Sequence, residues 1–153
     1  MKRIQVNVAK QELSLVEGEE LVAQYPISTS KFGLGTEEGS YRTPLGRFQV
    51  CECHGDDAPE RTIFRSRKAE GTWEPATEEE TTGDLVLSRI LWLDGMDDDN
   101  GNSRERYIYI HGTNHEDDIG TPASMGCVRM KNADVVALYD QVGVGTKVEI
   151  VKA

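Results

Sequence analysis

Apolar and polar residues alternate with period two over residues 3–8, the pattern of a half-buried strand, and residues 12–16 and 20–27 read as two further short strands. Val16-Glu17-Gly18-Glu19 is the turn between the second and third, so the chain opens as a β-meander. Residues 28–41 are rich in Gly, Ser and Thr and read as a long loop. Thr43-Pro44-Leu45-Gly46 is a turn feeding a strand at 47–53. Residues 54–84 are polar and acidic with little periodicity, the signature of a lid, binding loop or insertion. An apolar run at 85–93 fits a buried strand, 94–102 is an acidic loop, and 106–110 carries β-branched and aromatic strand formers. Only residues 132–142 have helical spacing. Val135, Leu138, Tyr139 and Val142 share a face, Asn132 stands at the N-cap, Asp134 suits the first turn and Gly143 suits C′. A strand at 145–151 closes the chain. The pattern predicts a single, mostly-β domain over residues 1–153 with one main helix.

At 153 residues the chain is long enough to bury a core. Its net charge of −10 argues against nonspecific binding to nucleic acid or anionic membrane, because the dominant phosphate attraction is reversed. No apolar run has the length of a membrane span. The first residues alternate instead of forming an apolar segment after Lys2-Arg3, which leads to the expectation of a cytoplasmic protein, or a periplasmic one if a signal preceded this sequence. Three cysteines cannot all pair within the chain, in keeping with a reducing compartment.

The chemistry concentrates in HGTNHEDDIGTPASMGCVRM, residues 111–130. Cys127 is the candidate nucleophile. It lies between a Gly-, Pro- and Ser-rich loop and the start of the helix, where unpaired N–H groups favour a thiolate, rather than inside an apolar run. Gly126 permits a tight turn and leaves its N–H uncovered for an oxyanion. His111, at a strand end, is the candidate base. His115 competes from an acidic loop, and His54 is expected to be solvated. No acid stands out to orient the imidazole, but the Gly112 carbonyl fixes a tautomer equally well. Arg129 is a candidate for a bidentate contact with a substrate carboxylate, with a salt bridge to a nearby acid as its plainer role; Arg42 and Arg106 are weaker candidates.

Two metal readings fail. Strand alternation puts Cys51 and Cys53 on one side, but two thiolates and His54 fall short of a structural zinc site. No register starting at Asp94, Asp97, Asp98 or Asp99 supplies both the sixth-position Gly and the twelfth-position Glu of a calcium loop, so 94–102 reads as a solvated turn. No metal and no cofactor are expected.

His111-Gly112 followed by Ser124-Met125-Gly126-Cys127-Val128-Arg129-Met130 resembles the active-site motif of the L,D-transpeptidase catalytic domain (YkuD) family. The likeness extends to Gln11, the Glu17-Gly18 turn, the 26–30 stretch, Thr43-Pro44-Leu45-Gly46 and the terminal Gly145-Thr146-Lys147-Val148. The resemblance implies an L,D-transpeptidase-like β-sandwich or barrel with a helix beside the catalytic motif. It implies Cys/His acyl transfer on peptidoglycan stem peptides or muropeptides. Cys127 would attack the carbonyl between a diamino acid and a terminal D-alanine. His111 would carry the proton, Gly112 would orient His111, and the N–H groups of Gly126 and Cys127 would hold the oxyanion. Ser124 would support the loop and, with Met125, Arg129 and Tyr109, is assigned to the substrate-binding set. A carbapenem adduct at Cys127 is a further expectation. Many members carry a second His at the position of Met125 and an Asn at that of Arg129, so acceptor handling is where this chain departs. With a cytoplasmic setting, the favoured reaction is L,D-carboxypeptidase trimming in muropeptide recycling. The alternatives are L,D-transpeptidation and a non-catalytic muropeptide-binding domain.

Overall fold

The computed structural model describes residues 2–73 and 85–153. Among these residues ten strands and one α-helix form, in the order β1 (Lys2–Asn7), β2 (Glu12–Glu17), β3 (Glu20–Ser28), β4 (Gly46–His54), β5 (Thr62–Arg65), β6 (Lys68–Thr72), β7 (Val86–Gly95), β8 (Tyr109–Gly112), β9 (Val128–Met130), α1 (Asn132–Tyr139) and β10 (Lys147–Val151). The sheet order is β4-β10-β1-β2-β3-β9-β8-β7-β5-β6, and β4 also pairs with β7. Eight strands therefore close into a barrel, which removes the open edges of those strands. The β5–β6 hairpin hangs from the N-terminal end of β7 through Ile63 and Phe64. Pairing is parallel for β1–β10 and β8–β9 and antiparallel elsewhere.

Alternation explains the core. Ile4 and Val6 of β1, Leu13 and Leu15 of β2, and Val148 and Ile150 of β10 all point inward and are essentially fully buried. Each such side chain stabilises the fold by roughly 1.5–3 kcal/mol. α1 adds Val135 and Leu138 to the same cluster. β7 is buried on both faces, which is why its sequence reads as a continuous apolar run. Leu91 and Leu93 face the main core, while Ile90 and Trp92 face a second cluster with Phe64 and Tyr109 that Cys127 packs against.

Several elements differ from the sequence pattern. Residues 54–84 are not wholly irregular, since the β5–β6 hairpin lies within them; the 74–84 part of the expected lid is outside the described residues. The strand expected at 106–110 starts only at Tyr109, because Tyr107 takes a left-handed φ of 56°. Cys127 does not precede the helix directly. β9 intervenes, so the thiol gains nothing from the helix dipole, whose effect fades within a turn. Asn132 is the first helical residue rather than the cap, and Asp140 ends the helix before Gly143. The backbone N–H of Asn132 is instead capped from a distance by the Glu116 carboxylate, at 2.7 Å. A bulge between Val50 and Glu52 breaks the alternation, so Cys51 packs with the second cluster and Cys53 with the main core.

The acidic 94–102 loop is more than a solvated turn. Asn100 is fully buried, with its amide donating to the Leu45 and Arg47 carbonyls at 3.1 Å each. Asp97 accepts from the Arg47 backbone N–H at 2.8 Å and pairs with its guanidinium. These Arg47 bonds hold the Asp97 carboxyl below its ordinary value of 3.8. A lowered carboxyl contributes stability that is present above the ordinary value and lost as pH falls through the folded one. Asp97→Asn is therefore expected to lower Tm at about pH 7 and to match the parent at about pH 2. Thermal unfolding at both pH values checks this, and an equal deficit at both would count against it.

Candidate active site

The Ser124–Cys127 loop is built from two directions. Internally, the Ser124 hydroxyl donates to the Cys127 carbonyl at 2.6 Å and accepts the Gly126 N–H at 3.2 Å. Externally, the 28–43 loop grips it. Ser124 N–H donates to the Thr29 carbonyl, Lys31 N–H to the Ser124 carbonyl, and the Thr43 hydroxyl to the Gly126 carbonyl at 2.9 Å. Gly126 has φ 122°, a region L side chains rarely enter, so the turn requires glycine. Ser124 is 1% exposed and both bonds of its hydroxyl stay within the loop. It braces the loop, with its hydroxyl engaged inside it rather than among the residues that line the cleft.

The Cys127 thiol is half-buried. It accepts the Tyr109 backbone N–H and donates to the Tyr107 carbonyl, both at 3.3 Å. A thiolate keeps the first contact and gives up the second. Cys127 opens onto a cleft of about 370 Å³ shared with Met125, Tyr41, Tyr107, Ile108, Arg106, Glu105, Glu38 and Gly39. Burial pulls the Arg106 guanidinium below the ordinary arginine value, while the nearby Cys127 and Glu38 oppose that change. Arg106 also donates to the Arg42 carbonyl at 2.6 Å and the Gly35 carbonyl at 3.3 Å, tying the 28–43 loop to the cleft wall.

His111 lies on the same sheet face. In the parallel β8–β9 register it pairs with Arg129, two residues beyond Cys127, while Ile110 and Val128 point into the core on the other side. His111 is 2% exposed, and its Nδ1 is 2.5 Å from the Gly112 carbonyl. A carbonyl only accepts, so Nδ1 carries the proton and Nε2 is left as the basic nitrogen. Gly112 has no room for a side chain: an added Cβ would lie 2.4 Å from Asn132 Oδ1 and 2.7 Å from the Leu87 carbonyl. Gly112→Ala is expected to cost about 1–3 kcal/mol by overpacking. A denaturant titration reads this directly; an unchanged midpoint would refute it.

A family model for the "YkuD: L,D-transpeptidase catalytic domain" matches residues 1–150. The chain belongs to this family. It is 51% identical over 148 residues to a putative L,D-transpeptidase YkuD of Bacillus licheniformis, covering 97% of this chain and 64% of that protein. It is 30% identical to a putative L,D-transpeptidase YqjB of Bacillus subtilis, covering 95% and 68%. The fold matches a solved L,D-transpeptidase from Xylanimonas cellulosilytica with TM-score 0.62 at 24% identity, covering 98% of this chain and 60% of that one. The chain thus spans about two thirds or less of the length of these L,D-transpeptidases.

Within this YkuD domain the predicted residues do not all reach the cleft. Met125, 42% exposed, lines it. Arg129 is 4% exposed beside His111, outside the residues that line the cleft. Tyr109 is buried, with its backbone on the thiol and its hydroxyl accepting from Arg67 at 2.9 Å. Burial raises the Tyr109 phenol, and the Arg67 bond opposes that rise. His115 precedes a 3-10 turn at Glu116–Asp118, and His54 is half-buried against Glu52 rather than solvated.

The pattern of the chain missed Glu38, Tyr41, Glu105 and Tyr107. Tyr41 and Tyr107 sit at left-handed φ without the Gly or Asn that would mark such turns. It also missed Arg67, whose guanidinium stacks on Trp92 at 4.7 Å and Tyr107 at 5.4 Å from the β5–β6 turn.

Proposed function

We propose that this domain catalyses Cys127-dependent acyl transfer at the bond between the diamino acid and D-alanine of peptidoglycan stem tetrapeptides. The observation that carries the proposal is the Cys127 thiol at a cleft, on the same sheet face as a buried His111 whose Nδ1 is fixed by Gly112. His111 Nε2 accepts the thiol proton as sulfur attacks the scissile carbonyl. The negative oxygen is held by the N–H groups of Cys127 and Gly126, the latter exchanging its long 3.2 Å bond to Ser124 for a charged acceptor. The proton then passes to the leaving D-alanine nitrogen, the C–N bond breaks, and a thioester to Cys127 remains. In the second half His111 deprotonates the acceptor, which attacks the thioester and regenerates the thiol. A cleft offering Glu38, Glu105 and Arg106 suits a diamino acid whose side chain carries both an ammonium and a second carboxylate.

The acceptor we favour is water, giving L,D-carboxypeptidase trimming. Met125 supports this, because its thioether is at best a weak acceptor for an incoming ammonium. Transfer to an amine, forming a cross-link or exchanging a D-amino acid, is the second reading, favoured by the L,D-transpeptidase names of the relatives. Incubation with a disaccharide tetrapeptide and excess free D-amino acid, read by mass spectrometry, separates them. Loss of one alanine without dimers or exchange products is the expected result. Exchange products would replace water by an amine. Unchanged tetrapeptide would leave a muropeptide-binding domain and overturn the catalytic reading.

One solved L,D-transpeptidase of this fold is in complex with imipenem, and another, from Mycobacterium tuberculosis, carries a faropenem-derived adduct. An imipenem adduct on Cys127 is accordingly expected. Its location by peptide mapping checks the assignment of the nucleophile, and labelling of Cys51 or Cys53 instead would contradict it.

A further inference from the structure

We propose that Asn132 is a positioning residue for His111, acting through Gly112 and Thr113; this rests on the reading of His111 as the base. Asn132 is 1% exposed, and its amide is fully engaged. Oδ1 accepts the Ser88 hydroxyl at 2.6 Å, and Nδ2 donates to the Thr113 carbonyl at 2.9 Å and to Glu116 at 3.1 Å. A first-turn helical residue needs none of this to start a helix, since the Glu116 carboxylate already caps its backbone N–H. The amide instead fills the space directly behind Gly112, where an added Cβ would lie 2.4 Å from Oδ1. It thereby braces the peptide whose carbonyl accepts from His111 Nδ1 and holds the next carbonyl by a hydrogen bond.

Ser88 supplies the other half of the clamp by an unusual route. Between the pairs Leu87↔Gly112 and Ile90↔His111 the β7 strand carries two extra residues, Ser88 and Arg89. This bulge lies opposite the His111-Gly112 pair. Ser88 adopts φ 70°, costly for a serine, and is completely buried. Its hydroxyl reaches Asn132 and also accepts the Arg61 backbone N–H at 2.9 Å. Bulges re-aim side chains beside functional sites. Here the bulge aims a hydroxyl at the amide that backs Gly112. If the Gly112 carbonyl moves, its hold on the Nδ1 proton weakens, and the tautomer with basic Nε2 loses part of its preference.

The test reads the tautomer in the protein without substrate, so it stands or falls separately from the proposed reaction. Long-range proton–nitrogen NMR on the parent should show His111 with the proton on Nδ1. In Asn132→Ala and in the milder Ser88→Ala, the His111 signals should move toward a mixture of tautomers. With a tetrapeptide substrate, kcat should fall about 10–100-fold with KM little changed, as expected for a misplaced base. Should Asn132→Ala not fold, Ser88→Ala carries the test alone. A folded variant with the parental tautomer and parental kcat overturns the proposal. So does a loss confined to KM.

Discussion

Cys127→Ala is expected to lower the rate of alanine release from a tetrapeptide by at least about 10⁴-fold, because loss of a nucleophile removes the covalent route altogether. Stability should barely change. The thiol is half-buried and makes two backbone contacts at 3.3 Å, while Ser124, Thr29 and Thr43 hold the loop without it. Both quantities are measurable on one preparation, by mass spectrometry of the product and by thermal unfolding. A variant with parental Tm and more than a few per cent of parental turnover would remove Cys127 from the chemistry.

The second large effect is at His111. Replacement by alanine should reduce kcat about 10²–10⁴-fold, the usual share of a positioned general base. KM should change little, since His111 is buried and outside the residues that line the cleft. Steady-state kinetics decides between this and a substrate-contact role, which would raise KM and spare kcat. The deficit at His111 and that at Cys127 should not add, because the two act as a unit: the double variant should be no slower than Cys127→Ala alone.

The barrel was legible wherever one strand face is apolar and the other polar, as in β1, β2 and β10. It was less legible where local geometry departs from alternation. The β5–β6 turn uses Ser66 and Arg67 at left-handed φ, and without Asn-Gly it carries no hairpin signal. β9 has three residues and hides between motif and helix. Cys127 and His111, the proposed nucleophile and base, stood out because their residue types are chemically distinctive. Their supports did not: Ser88, Asn132 and Thr43 are ordinary polar residues whose work depends on a bulge, a helix start and a loop meeting in space. The burial of Arg129 was hidden for a related reason. Its place two residues after the nucleophile puts it on the right sheet face, but in a buried position.

The central claim is a thioester between Cys127 and the stem peptide. Rapid acid quench during turnover of a disaccharide tetrapeptide, followed by intact-mass and peptide mapping, tests it most directly. An adduct with the mass of the tetrapeptide less one alanine, located on the peptide that contains Cys127, is the expected result. Release of alanine with no adduct at any quench time, or an adduct at another residue, would contradict it.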